Sequence, residues 1–339
     1  MIARLHVLMP FSVQIPKDEP FTVNSYVEDG YDVRVYPPVK SEIPASAGTV
    51  DQLQINGRPA ESYNALRIDF HREKFDRSSG LESDPSYDFM AKVVNSFLSR
   101  LRYVTRSSKV GPVNFPHMLW RLRYLNDDDT ELVKEEGLVR GRGGFEFSLD
   151  LIGITQEVWN DIHDLEPDFQ APIWNELLLD AHHTLPQIGP TLVLAATALE
   201  VFIAQILDSL AKQSSIPKPL WTWLNTREWL RAPTIEEQFD VLLKVLCGYS
   251  LKQDQELWEP FMNLKKARNT FVHEGVAKIG GARVTEEDSR RLLSSATKII
   301  LAVRARLHEE LQWKEYTHEC KVSAQWKFFG DESEDTTAT

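Results

Sequence analysis

The sequence predicts an α+β protein: a mixed strand-and-helix domain over residues 1–160, then an all-α helical bundle over residues 165–312. Three observations carry this prediction. Before residue 155, short runs alternate apolar and polar side chains, the period of a strand with one buried face. After residue 165, apolar residues recur at steps of three and four, the period of a helix burying one face. The change falls in the stretch TQEVWNDIHDLEPDFQAP at 155–172, which puts the domain boundary between about 155 and 170.

Taken in order, residues 2–9 are rich in strand formers, and YDVRVY at 31–36 alternates until Pro37 and Pro38 end it. Residues 62–70 (SYNALRIDF) read as a further strand. Residues 85–106 read as a helix, because Phe89, Val93, Phe97, Leu101 and Val104 recur at helical spacing. Residues 118–125 (MLWRLRYL) return to strand before the polar turn NDDDT. Phe145, Phe147, Leu149 and Leu151 alternate most cleanly of all. In the second half, residues 172–185 predict a short helix. Residues 190–212 predict a long one, apolar nearly all round and therefore central to the bundle. Residues 213–233 read as a Pro- and Trp-rich connection. Thr234, with Glu237 three residues on, forms a capping-box pattern for a helix that Gly248 closes. The next helix covers 257–275, and the last runs from Thr285, behind an acidic first turn, to about Gln312. Residues 313–339 form a C-terminal extension with an acidic tail predicted to be disordered.

A length of 339 residues suits two domains, and 42% hydrophobic with 26% charged residues is a soluble globular composition. The formal net charge of -12 argues against a general nucleic-acid coat protein, whose affinity rests on many basic contacts, but leaves room for a local basic site. The two cysteines, Cys247 and Cys320, make no C-x-x-C pair, so a reducing compartment is expected. The N-terminus is too polar for a signal-peptide core. The apolar run at 191–207 carries Glu200 and Gln205 and falls short of a membrane span. The expected location is cytoplasmic. Asp180, His182 and His183 cluster near a helix end, but metal ligation needs a further partner. No metal and no cofactor is expected.

The chemistry gathers in the helix at 257–275. Leu257, Phe261, Leu264 and Phe271 form an apolar stripe, and Arg268 occupies the position that completes it. A guanidinium there is costly unless it is paired or sits at an interface. Asn269 adjoins it, and His273 follows Asn269 by four residues, on the same face. Arg268 and His273 are about 140° apart at about 100° per residue. Either the helix loosens at His273, or Arg268 reaches around, or the pair works across an interface. Cleavage of RNA by its own 2′-hydroxyl needs a base, an acid and cationic donors for the charged phosphorane. Histidine serves as base or acid near neutral pH, and arginine forks onto phosphate oxygens. One His per chain does not cover both proton transfers. A two-fold dimer places two in one cleft.

The stretch ARNTFVHE at 267–274 resembles the R-N-x-x-x-H motif of the HEPN family, and the helix at 190–212, with Ala198, Leu199 and Glu200, resembles that family's early buried helix. The resemblance covers residues 165–312 and says little about 1–160. It implies a HEPN-like bundle that dimerises and cleaves RNA without metal. Arg268, Asn269 and His273 would be the catalytic set, with Glu200 and Lys265 in support. Some members of the family are toxins and others act in antiphage defence or RNA processing. Others are non-catalytic modules for dimerisation or interaction, and that alternative, or nucleotide binding without cleavage, stays open. The first domain would then select a target, sense a trigger or hold a protein partner. In the toxin branch paired with a nucleotidyltransferase antitoxin, a modified Tyr stands two residues after the His; here that position is Gly275.

Structural roles compete with each of these assignments. Arg268 also fits a buried arginine bonded to helix-end carbonyls or to Glu200, and His273 a plain cap. Glu200 fits an ion-pair partner of Arg268 or an orienter of His273. Trp221, Trp223 and Trp229 fit base stacking or bundle packing. RGRGG at 140–144 fits a phosphate-approaching loop or a hairpin turn.

Overall fold

Alternation of side chains builds a sheet in the first half of the chain. The computed structural model describes residues 1–40, 50–75, 84–115, 118–132, 152–225, 232–318 and 320–326. The alternating run 145–151, the loop 140–144, Trp229 and the acidic tail lie outside them. The protein is α+β. It divides into two units, Met1–Gln170 with Tyr316–Thr339, and Ala171–Glu315.

In the first unit the strands are β1 (Ile2–Pro16), β2 (Asn24–Glu28), β3 (Tyr31–Val35), β4 (Val50–Ile55), β5 (Arg58–His71), β6 (Trp120–Leu125), β7 (Ile152–Gly153) and β10 (Val322–Trp326). Their order is β10-β4-β5-β1-β6, with β3 on β5, β2 on β3 and β7 on β1. The pairings are antiparallel except β1 with β7. Every second residue faces the core: Leu5, Val7, Val33, Val35, Leu66, Ile68 and Phe70 are all buried. Helix α1 (Tyr87–Thr105), capped by Ser86, packs Phe89 against Tyr31 and Phe70 on this side. The stretch read as the boundary holds a helix of its own, α2 (Gln156–His163), with Val158, Trp159 and Ile162 buried. The C-terminal extension returns to the sheet: β10 pairs with β4, Val322 packs on Leu53 and Ile55, and Tyr316 meets Tyr103 edge-on. Gly153 makes room for this segment, since a Cβ there would lie 2.8 Å from that of Cys320.

The second unit is helical. It comprises α3 (Ile173–Thr184), α4 (Ile188–Gln213), α5 (Lys218–Asn225), α6 (Ile235–Glu237), a π turn (Gln238–Leu242), α7 (Leu243–Cys247), α8 (Gln255–Glu274) and α9 (Glu286–Arg304), with a short hairpin β8 (Lys278–Ile279) and β9 (Ala282–Arg283) before α9. The central element is α4: Leu192, Ala195, Leu199, Phe202 and Ile203 are buried in one core with residues of α3, α8 and α9. It is long and apolar enough by composition to cross a membrane, but 56% of that window is buried within the protein.

Three elements differ from the sequence reading. The connection at 213–233 contains α5, with Trp221 half-buried against the core and Trp223 56% exposed. The Thr234 helix begins with its capping box but widens into the π turn before Gly248 ends it. Helix α9 ends at Arg304, not near Gln312, because Arg304 Nε and Nη2 bond the Trp313 carbonyl at 3.0 and 2.8 Å and fold the chain back. Leu307 and Leu311 continue the helical spacing at steps of four from Val303 yet reach the core from beyond the helix.

Candidate functional site

Helix α8 is held on one side by Phe261, Leu264 and Ala267, all buried. Its last turn is fixed twice. The ring of Phe271 lies so near Gly189, at the start of α4, that a Cβ there would sit 2.0 Å from it. Thr270 Oγ1 accepts from Lys278 N at 2.8 Å, which pins the following hairpin to the helix. Gly275, at φ 73, closes the helix and donates from its N–H to the Phe271 carbonyl at 2.8 Å. The helix therefore stays regular through His273. Of the three possibilities left by the spacing, loosening at His273 does not occur.

Arg268 bonds its neighbour on the helix. It leaves the helix at the edge of the packed face, half-buried, and its Nη1 donates to Asn269 Oδ1 at 3.0 Å. Its Nε is buried and makes no hydrogen bond among the described residues. Asn269 shares its face with His273, one turn on and about 6 Å along the axis at about 1.5 Å per residue. His273 is exposed and makes no hydrogen bond or ion pair among the described residues. Val272, between them, is 54% exposed. The end of α8 thus presents a bonded Arg–Asn pair, an open imidazole and an uncovered valine on adjoining faces.

The two residues read as supporting lie beside Arg268. Arg268, Glu200 and Lys265 line one narrow crevice with Ala196, Leu199, Ile235, Phe261 and Leu264. Lys265, however, is ion-paired with Glu236 of α6. Burial works to raise the Glu236 carboxyl, but hydrogen bonds from Lys265, the backbone and Thr234, together with the Lys265 charge, hold it below its ordinary value. Glu200 is exposed and makes no ion pair with Arg268 or His273; it faces an open cleft of about 400 Å³ shared with Thr234, Glu236, Gln238 and Lys265. Of the alternatives for Arg268, the bond formed is to Asn269 on the same helix rather than to Glu200.

Among the described residues no three His, Cys, Asp or Glu side chains gather to hold a metal, and Asp180, His182 and His183 are not such a group. Sequence reasoning missed Thr270 and Gly189, which fix the last turn. The glycine beside Pro190 was the available signal. Compared with family models, curated proteins and solved structures, the chain finds no match.

Chemically, the pair at the end of α8 offers donors from Arg268 and from the Asn269 amide to an oxyanion, with one proton-transferring group a turn away.

Proposed function

We propose that the helical unit is a metal-independent endoribonuclease of the HEPN kind, working as a two-fold dimer. The observation that carries this reading is the Arg268–Asn269 hydrogen bond beside an open His273 on a regular helix. Asn269 shares its helix face with His273, so a bond from Arg268 to Asn269 supports this reading. In this reading Arg268 neutralises the phosphorane, Asn269 holds Arg268 and bonds a phosphate oxygen, and His273 transfers the proton. A partner's second imidazole supplies the other transfer. By the same resemblance the setting would be a toxin or antiphage system acting on cellular RNA.

The test is cleavage of an RNA pool in excess EDTA by wild type, Arg268→Ala and His273→Ala, with sedimentation to read size. Wild type yields 2′,3′-cyclic phosphate ends. Each variant stays folded and dimeric and loses about 100-fold or more. Equal cleavage by all three, or a strictly monomeric wild type that cleaves, would sink the proposal.

A second reading, a non-catalytic interaction or nucleotide-binding module, is favoured by one observation. Lys265, the cation closest to Arg268 in sequence on the crevice, is already neutralised by Glu236. That reading predicts saturable ligand binding without RNA breakage.

A further inference from the structure

Between the first half of α8, the hairpin strand β9 and the middle of α9 lies a cleft of about 580 Å³, wholly within the helical unit. Sites for small molecules span about 300–1,000 Å³. Its apolar lining comes from Ile279, Val284 and Leu292, the last two buried. Six polar side chains also line it: Glu256, Glu259 and Asn263 from α8, Arg283 from β9, and Ser294 and Lys298 from α9. None of these six side chains makes a hydrogen bond or an ion pair among the described residues.

Several other charges of this unit are paired. Lys278 bonds Glu274, Arg290 bonds Glu286, Arg291 bonds Asp288 and Lys265 bonds Glu236. Arg291 and Asp288 also line the cleft and neutralise each other there. Glu256, Glu259 and Lys298 have no such option within their own helices. Side chains three and four residues apart on a helix are neighbours. At those steps α8 offers Glu256 only Glu259 and Pro260, and it offers Glu259 only Gln255, Glu256, Met262 and Asn263. At the same steps α9 offers Lys298 only Ser294, Ser295, Leu301 and Ala302. The two glutamates stand one turn apart with no cation between them, and like charges at that spacing oppose each other. The cleft therefore holds two unpaired acids, Glu256 and Glu259, and two unpaired cations, Arg283 and Lys298.

A lone anion is drawn by Arg283 and Lys298 but opposed by Glu256 and Glu259, and a lone cation meets the converse. A ligand carrying both signs satisfies all four. Length narrows the class. Glu256 to Asn263 on α8, and Arg291 to Lys298 on α9, are each seven residues apart, about 10 Å at about 1.5 Å per residue. The ammonium and carboxylate of a single amino acid are too close together to span that, whereas three extended residues reach about 10 Å. Asn263 and Ser294 offer hydrogen bonds to peptide groups, and the apolar lining accepts a side chain. We propose that this cleft binds a zwitterionic peptide of about three residues, its ammonium at Glu256 and Glu259 and its carboxylate at Arg283 and Lys298. The assignment is independent of the RNA reading: it uses none of Arg268, Asn269 and His273 and needs no cleavage.

The experiment is calorimetric titration of the full-length protein with the tripeptide alanyl-leucyl-alanine, free at both ends, N-acetylated or C-amidated. The free-ended peptide should bind, and each blocked form should bind about tenfold more weakly, the loss of one charge-assisted contact. Two double variants locate the ends. Glu256→Gln with Glu259→Gln should bind the free-ended and N-acetylated peptides equally while still preferring a free carboxylate. Arg283→Gln with Lys298→Gln should bind the free-ended and C-amidated peptides equally while still preferring a free amine. All four side chains are exposed, so both variants should melt at the parent's temperature. If one does not, the three peptides on the wild-type protein decide alone. No binding of the free-ended peptide at millimolar concentration, or equal binding of all three by wild type, would overturn the proposal. So would an end preference that folded variants leave unchanged. Inorganic phosphate bound as tightly as the peptide, and lost only with Arg283 and Lys298, would overturn it by making the cleft an anion site.

Discussion

The Arg268–Asn269 bond makes a residue-level claim that a single substitution separates from mere loss of a side chain. Asn269→Ala removes the acceptor but leaves Arg268 its charge, so RNA cleavage should fall by about tenfold. Asn269→Asp puts a carboxylate where Oδ1 accepts from the guanidinium at 3.0 Å and cancels the charge a phosphate would meet. Its loss should approach that of Arg268→Ala, about 100-fold or more. Aspartate as active as alanine would show that Arg268 does not face the phosphate. His163, in the other unit, makes a separate claim. Burial first, then the Arg100 guanidinium, pushes its pKa from 6.5 down to about 4. Its ring sits edge-on to Trp159, and its buried Nε2 has no bonding partner among the described residues. The unfolded chain therefore binds a proton between pH 6.5 and about 4 that the folded chain does not. Stability from this group is complete above 6.5 and declines as pH falls toward about 4. His163→Phe should flatten that limb in urea unfolding measured across the range; an unaltered limb would mean that His163 is solvated.

At the scale of elements, apolar spacing made α1, α3, α4 and α8 legible because each buries one stripe against a single core. Where the chain breaks that condition, the reading failed. The end of α9 was overdrawn because Leu307 and Leu311 keep the spacing while reaching the core from beyond the helix. Helix α2 was passed over because its eight residues are mostly polar outside Val158, Trp159 and Ile162. That small face is nonetheless costly to lose. Trp159 is fully buried, meets Phe21 and Phe97, and donates from Nε1 to the Thr22 carbonyl at 2.8 Å. Trp159→Ala should cost about 3–5 kcal/mol in chemical denaturation of the sheet unit. The candidate site divides in the same way. Sequence named Arg268, Asn269 and His273, since they depart from the stripe that surrounds them. It did not give the direction of Arg268, because a flexible side chain's choice between Asn269 and Glu200 depends on contacts between α4, α6 and α8. At the helix junction, Gly189→Ala should cost about 1–3 kcal/mol by overpacking against Phe271, measured by thermal unfolding.

At the scale of the whole molecule, the chain leaves the sheet unit at Gln170, builds the helical unit, and returns at Tyr316. Nothing in the periodicity of residues 313–326 announces that return, because a five-residue edge strand is specified by its partner more than by its own pattern. The return covers the β4 edge, places Val322 on Ile55, sets Tyr316 against Tyr103, and joins His318 to Asp161 at 2.7 Å. A chain truncated after Glu315 loses all four and bares a strand edge. The sheet unit should lose about 3–5 kcal/mol, the scale of removing one buried aromatic, while the helical unit keeps its core. Hydrogen exchange resolves the two. Amides of β5 and α1 should exchange faster in the truncated chain, and those of α4 and α9 should be unchanged. Equal acceleration in both sets would mean that the units share one cooperative unfolding step, and sheet amides as protected as before would mean that the returning strand only decorates the edge.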